Sequence, residues 1–124
     1  MAVSPPQIRI AEEAGACYGV ERALEMVESA AEENAGAVHT LGPLIHNPRV
    51  IAELAEKGVD AVGSPEEAAG DTLLLRTHGT VPEEEARARD LCSRVLDATC
   101  PFVKKVHQAA ERLSREGYQV VVVG

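Results

Sequence analysis

Asp71-Thr72-Leu73-Leu74-Leu75-Arg76-Thr77-His78-Gly79-Thr80-Val81-Pro82-Glu83 carries the decision on the fold. Leu73–Leu75 is an uninterrupted apolar run, the pattern of a strand buried on both faces. It stops at Arg76-Thr77-His78-Gly79, and Thr80-Val81-Pro82-Glu83 caps a charged helix reaching about Ser93. Strand, polar loop, helix is half of a βαβ unit, and the same sentence repeats on either side.

Upstream, Gln7–Glu12 reads as a strand running into the small-residue turn Ala14-Gly15-Ala16-Cys17-Tyr18-Gly19. A helix follows over about Val20–Glu33, with Val20, Ala23, Leu24, Val27 and Ala30 on one face. Ala37–Leu41 is a strand, and Gly42-Pro43-Leu44-Ile45-His46-Asn47-Pro48 is its loop. Asn47 as N-cap and Pro48 as first helical residue open a helix to Lys57, with Gly58 as its stop. Val59–Val62 is a short strand, and Ser64-Pro65-Glu66-Glu67 starts one helical turn. Downstream, Val95-Leu96 is a strand ending at Asp97-Ala98-Thr99-Cys100, and Pro101 opens a helix with Phe102, Val106, Ala109, Ala110 and Leu113 on its apolar face. Gly117 stops that helix, and Tyr118–Val123 reads as a last apolar strand with nothing after Gly124 to cover it. The fold class is α/β, a parallel sheet with flanking helices.

Composition agrees with a packed domain. The chain has 124 residues, 45% hydrophobic and 26% charged, of which only Tyr18, Phe102 and Tyr118 are aromatic. Such a core must be built from Val, Leu, Ile and Ala. Twelve Lys and Arg against 20 Asp and Glu leave a net charge of −8, which opposes binding to nucleic acid or an anionic membrane. Any anion must be held locally, by oriented N–H groups or particular His, Arg or Lys side chains. No run approaches a membrane span and no secretory signal stands at Met1–Ile10, so a cytoplasmic location is expected. Three cysteines, an odd number in a reducing compartment, favour ligands, nucleophiles or core residues over structural disulfides.

In open parallel sheets ligands gather at the carboxyl ends of the strands, beside helix N-termini. Four segments share that address: Ala14–Gly19 with Cys17, Leu41–Pro48 with His46, Arg76–Gly79 with His78, and Asp97–Pro101 with Cys100. Cys92 falls in the predicted helix and reads as a small core residue. His39, within a strand, and His107, on the last helix, read as structural or surface residues, and Glu83–Glu85 as a solvated first turn. Pattern leaves three chemistries open: a metal or iron–sulfur site, a thiol-redox pair of Cys17 with Cys100, and a diphosphate- or metal-binding module without catalysis. No CxxC pair stands anywhere in the chain.

Ala14–Ala23, Leu41–Asn47, Arg76–Gly79 and Asp97–Pro101, followed by Val103-Lys104-Lys105-Val106-His107, occur in one order. Together they resemble the N-terminal portion of the 4-hydroxy-3-methylbut-2-enyl diphosphate reductase family, across residues 8–124. The resemblance implies the first of three similar α/β domains around a 4Fe-4S cluster, with Cys17 and Cys100 as cluster ligands and His46 and His78 as binders of an allylic diphosphate. It implies two-electron reduction, from a donor such as ferredoxin or flavodoxin, to isopentenyl and dimethylallyl diphosphates. The family's third cluster cysteine and catalytic Glu are expected beyond Gly124, so this chain alone is expected to be inactive. On this reading residues 1–7 are a leader, 8–97 the first domain and 98–124 the truncated start of a second, whose unpaired strand invites self-association. Ala16 stands where the family usually has Phe.

Overall fold

A computed structural model describes residues 5–33 and 36–123. Four parallel strands, β1 (Val38–Leu41), β2 (Val59–Val62), β3 (Thr72–Leu75) and β4 (Arg94–Asp97), form one sheet in the order β2-β1-β3-β4. β3 lies in register with β1 (Leu74 beside Thr40) and with β4 (Leu74 beside Leu96). The connections run through α2 (Pro48–Glu56), a 3₁₀ turn (Pro65–Ala68) and α3 (Pro82–Leu91). Two further helices, α1 (Tyr18–Glu32) and α4 (Pro101–Arg115), begin at Cys17 and Cys100.

The leucine run explains the layering. All four β3 residues are buried. Leu74 joins one core with Ala23, Val27 and Ala30 of α1 and Leu54 of α2. Leu73 and Leu75, pointing the other way, join a second core with Ala68 and with Ala88 of α3. Alternation along an apolar strand thus serves two helical layers at once. Local chemistry sets the helix ends. The Asn47 carboxamide accepts from the amides of Arg49 (3.1 Å) and Val50 (3.5 Å), satisfying donors that the first turn leaves free. The Glu67 carboxylate accepts from the Ser64 amide at 2.9 Å, as the capping pattern predicts.

Both terminal strands of the sequence reading are absent. Gln7–Glu12 is exposed and irregular, and residues 118–123 form no strand, with Val121, Val122 and Val123 exposed. Strand propensity has no effect without a neighbour to take the backbone hydrogen bonds, and among the described residues neither segment has one. The first four residues of the expected leader, and Gly124, lie outside the described residues. The helix that precedes residues 118–123 has no buried side chain: Phe102 and Val106 of its expected apolar face are exposed, and Ala109, Ala110 and Leu113 are half-buried. Cys92 is not mid-helix either; it follows the last turn of α3 in extended backbone.

Candidate functional site

The strand order 2-1-3-4 reverses direction between β1 and β3, and the loops leaving those two strands diverge from one crevice. His46 stands in the loop after β1 and His78 in the loop after β3. Their rings stack, with centroids 5.3 Å apart and planes 7° from parallel. The two loops are joined by backbone: Thr77 donates from its amide (3.3 Å) and its hydroxyl (3.2 Å) to the Leu44 carbonyl. Both imidazoles are exposed. Partial burial pushes the His78 imidazole below its ordinary range, and the Arg76 and His46 charges push the same way. A bound anion acts in the opposite direction, favouring imidazolium.

The thiols arrive from the neighbouring elements. Cys17 and Cys100 are the N-caps of the two 15-residue helices, and their carbonyls accept the first helical hydrogen bonds, from Glu21 (3.0 Å) and Lys104 (2.9 Å) respectively. Neither cysteine side chain caps its helix, and both thiols are free. The Cys100 amide donates to the Thr77 carbonyl at 2.8 Å, tying the β4 loop to the β3 loop. Cys17, Cys100, Thr77, His78, Gly19 and Val103 line one open cavity of about 200 Å³. Gly19 is required there: a Cβ on it would lie 2.7 Å from the Cys100 sulfur, so α1 approaches the thiol with bare backbone. His46 does not line the cavity but stacks on His78, which does.

Asp97 is the last residue of β4, three residues before Cys100. Burial alone pushes its carboxyl up, but Lys104 and the hydroxyl and amide of Thr99 together outweigh burial and hold it below the usual carboxylate range. Of the remaining candidates Cys92 and His39 lie elsewhere, whereas His107 shares a cavity with Arg76 and His78. Cys92 precedes β4, at the opposite end of the sheet, where burial first and then Asp71 and Glu66 push its thiol up. His39 pairs with Asp71 at 3.1 Å. His107, exposed on α4, packs on Gly79, whose φ of +81° and missing Cβ leave room for the ring. One part of the sequence expectation needs correction: Cys17 follows no strand, and reaches the site only because α1 starts beside Cys100.

The sequence reading did not single out Arg76, Thr77, Gly19 or Gly42. Each lies in or beside a quoted motif, but the role of each is a contact with another loop, which a linear pattern does not display. Among the described residues, no set of three His, Cys, Asp or Glu side chains converges in metal-ligand geometry. None of the described helices is long and apolar enough to cross a membrane.

Residues 8–124 match the family described as LytB protein. A 4-hydroxy-3-methylbut-2-enyl diphosphate reductase of Aquifex aeolicus is 49% identical over 117 residues, covering 94% of this chain and 40% of that protein. The enzyme of the same description from Clostridioides difficile is 36% identical, covering 94% and 42%. A solved (E)-4-hydroxy-3-methyl-but-2-enyl diphosphate reductase, described as the terminal enzyme of the non-mevalonate pathway, superposes with a TM-score of 0.79 at 48% identity over 94% of this chain and 42% of its own. The Plasmodium falciparum reductase structure gives 0.79 at 28% identity, over 86% and 34%. This chain therefore spans about two fifths of the curated relatives it matches.

Proposed function

The chain belongs to the LytB protein family, and from that premise we propose that it forms the N-terminal part of a 4-hydroxy-3-methylbut-2-enyl diphosphate reductase, an oxidoreductase of isoprenoid biosynthesis. In this role Cys17 and Cys100 supply two thiolates to a 4Fe-4S cluster, and His46 and His78 bind the substrate diphosphate. The whole enzyme would release isopentenyl and dimethylallyl diphosphates in the cytoplasm, with electrons from a ferredoxin or flavodoxin. The observation that carries the reading is the shared cavity: both thiols and His78 open onto it at the carboxyl edge of the sheet.

The residues present fit the cluster. Two soft thiol donors stand at helix N-termini, and both open onto one cavity of about 200 Å³. When bound, the cluster supplies electrons and Lewis acidity toward the allylic hydroxyl. The chain's own residues bind and orient. His46 and His78 present two adjacent imidazole rings whose N–H groups can donate to the diphosphate. This local recognition is what allows a protein of net charge −8 to hold an anion. Residues 98–124 are proposed to begin a second domain, with the family's third cysteine and catalytic Glu supplied by a portion of the enzyme outside this chain. By itself the chain would bind diphosphate and not reduce it.

Two measurements on the chain test this. Anaerobic reconstitution with iron and sulfide, followed by iron analysis, should show bound iron that falls in Cys17→Ser and in Cys100→Ser and is unchanged in Cys92→Ser. Equal loss in Cys92→Ser would overturn the ligand assignment. Calorimetric titration with inorganic pyrophosphate should show binding weakened about tenfold by His46→Ala and by His78→Ala, the size expected for one charge-assisted hydrogen bond. Unchanged affinity in both would remove the histidines from the diphosphate site.

A further inference from the structure

The two stacked histidines belong to different loops, which the Thr77–Leu44 bonds join at one point without fixing the ring that each carries. Arg76 is placed to hold them. It is the first residue after β3 and is half-buried. Its Nε donates to the Gly79 carbonyl at 3.3 Å, while the Gly79 amide donates to the Arg76 carbonyl at 3.0 Å, closing a tight turn around His78. The far end of the same side chain crosses to the other loop. Nη1 lies 2.8 Å from the position a Cβ would take on Gly42, and Gly42 has a φ of +70°.

The guanidinium, like that of Arg22, which donates to the Thr99 carbonyl at 3.4 Å, faces a backbone carbonyl rather than a carboxylate. Arg49, Arg87, Arg89, Arg94, Arg112 and Arg115 each face a carboxylate. Arg76 has no carboxylate within ion-pair distance among the described residues, in a chain with 20 acidic residues. A partly buried cation directed at backbone is spent on geometry rather than on charge neutralisation.

We propose that Arg76 is a positioning residue, whose planar guanidinium bonds the Gly79 carbonyl and packs over Gly42, and so sets the register in which the His46 and His78 rings stack. The inference about the stack stands on these contacts; its consequence for diphosphate binding rests on the assignment of His46 and His78 made above. Lysine keeps the charge but loses the fork, so it cannot reach both loops.

The test is proton NMR of the histidine rings in the 124-residue chain, together with pyrophosphate titration. Stacked rings shift each other's ring protons upfield. Arg76→Lys should move the His46 and His78 ring protons toward exposed-histidine values and weaken pyrophosphate binding by about tenfold, with cooperative unfolding retained. Ring resonances unchanged in Arg76→Lys would overturn the proposal, whatever the affinity. If Arg76→Lys does not fold, Gly42→Ala carries the test: its methyl displaces Nη1 with Arg76 retained, and the same ring shifts are expected, their absence overturning the proposal. Should His46→Ala and His78→Ala both bind pyrophosphate as tightly as the parent chain, the diphosphate assignment fails. The ring shifts then still decide the role of Arg76.

Discussion

β3 and α4 are both apolar on a face, and they meet opposite fates. Leu73, Leu74 and Leu75 are sealed between two helical layers, whereas α4 has no buried residue and presents Phe102 and Val106 to solvent. The difference shows what each contributes. β3 is held by packing on both sides. α4 is held mainly at its first turns, by the Cys100 amide on Thr77, by the Lys104–Asp97 pair, by His107 on Gly79, and by an edge-on contact of Tyr18 with Phe102 at 6.5 Å. Those are the contacts that aim Cys100 at the site. α4 is therefore a site element attached to a domain, not a layer of its core.

The comparison can be broken most forcefully at Leu74. Leu74→Ala should cost about 2–5 kcal/mol in denaturant unfolding, because the side chain is fully buried between α1, α2 and the neighbouring strands. A smaller loss would mean that the sheet is not the centre of stability. Gly19→Ala should come next, at about 1–3 kcal/mol, since the added methyl must displace the Cys100 sulfur or α1 itself. Thermal unfolding together with the reaction rate of the Cys100 thiol would separate those two responses.

Acid probes the joint between the regions. Asp97 has a folded carboxyl below its ordinary value of 3.8, so it binds fewer protons folded than unfolded. Its contribution is complete above that value and is lost as pH falls through the lower, folded one. The loss should stay below about 1 kcal/mol, since the group remains partly solvated. Asp97→Asn should flatten the stability profile in that acid range, and an unaltered profile would remove Asp97 from the joint. The smallest effect is expected at Phe102→Ala, within about 0.5 kcal/mol in the isolated chain. A loss as large as that at Leu74 would show that α4 is covered in solution, and would redraw the comparison altogether.

Much of the site could be read in advance because its parts occupy strand ends, and strand ends are marked by where apolar runs stop. His46, His78 and Cys100 were located that way. Cys17 stands at the start of α1 without the strand expected before it. Arg76 belongs to the Arg76–Gly79 motif, but the pattern points to His78 within it. The reach of Arg76 to Gly42 joins positions separated by more than a β-strand and two helical turns of sequence, and no local pattern encodes such a contact.

Periodicity, capping residues and glycine stops were sufficient to determine the α/β class, the four central strands and the starts of α2 and α4. These depend on interactions between residues a few positions apart. Strand order, the pairing of His46 with His78, and the meeting of two helix N-termini around one cavity were decided only by tertiary structure. So was the failure of the two outer apolar segments to become strands. A strand is completed by its neighbour, and a site by the loops that converge on it, so both are properties of distant residues brought together.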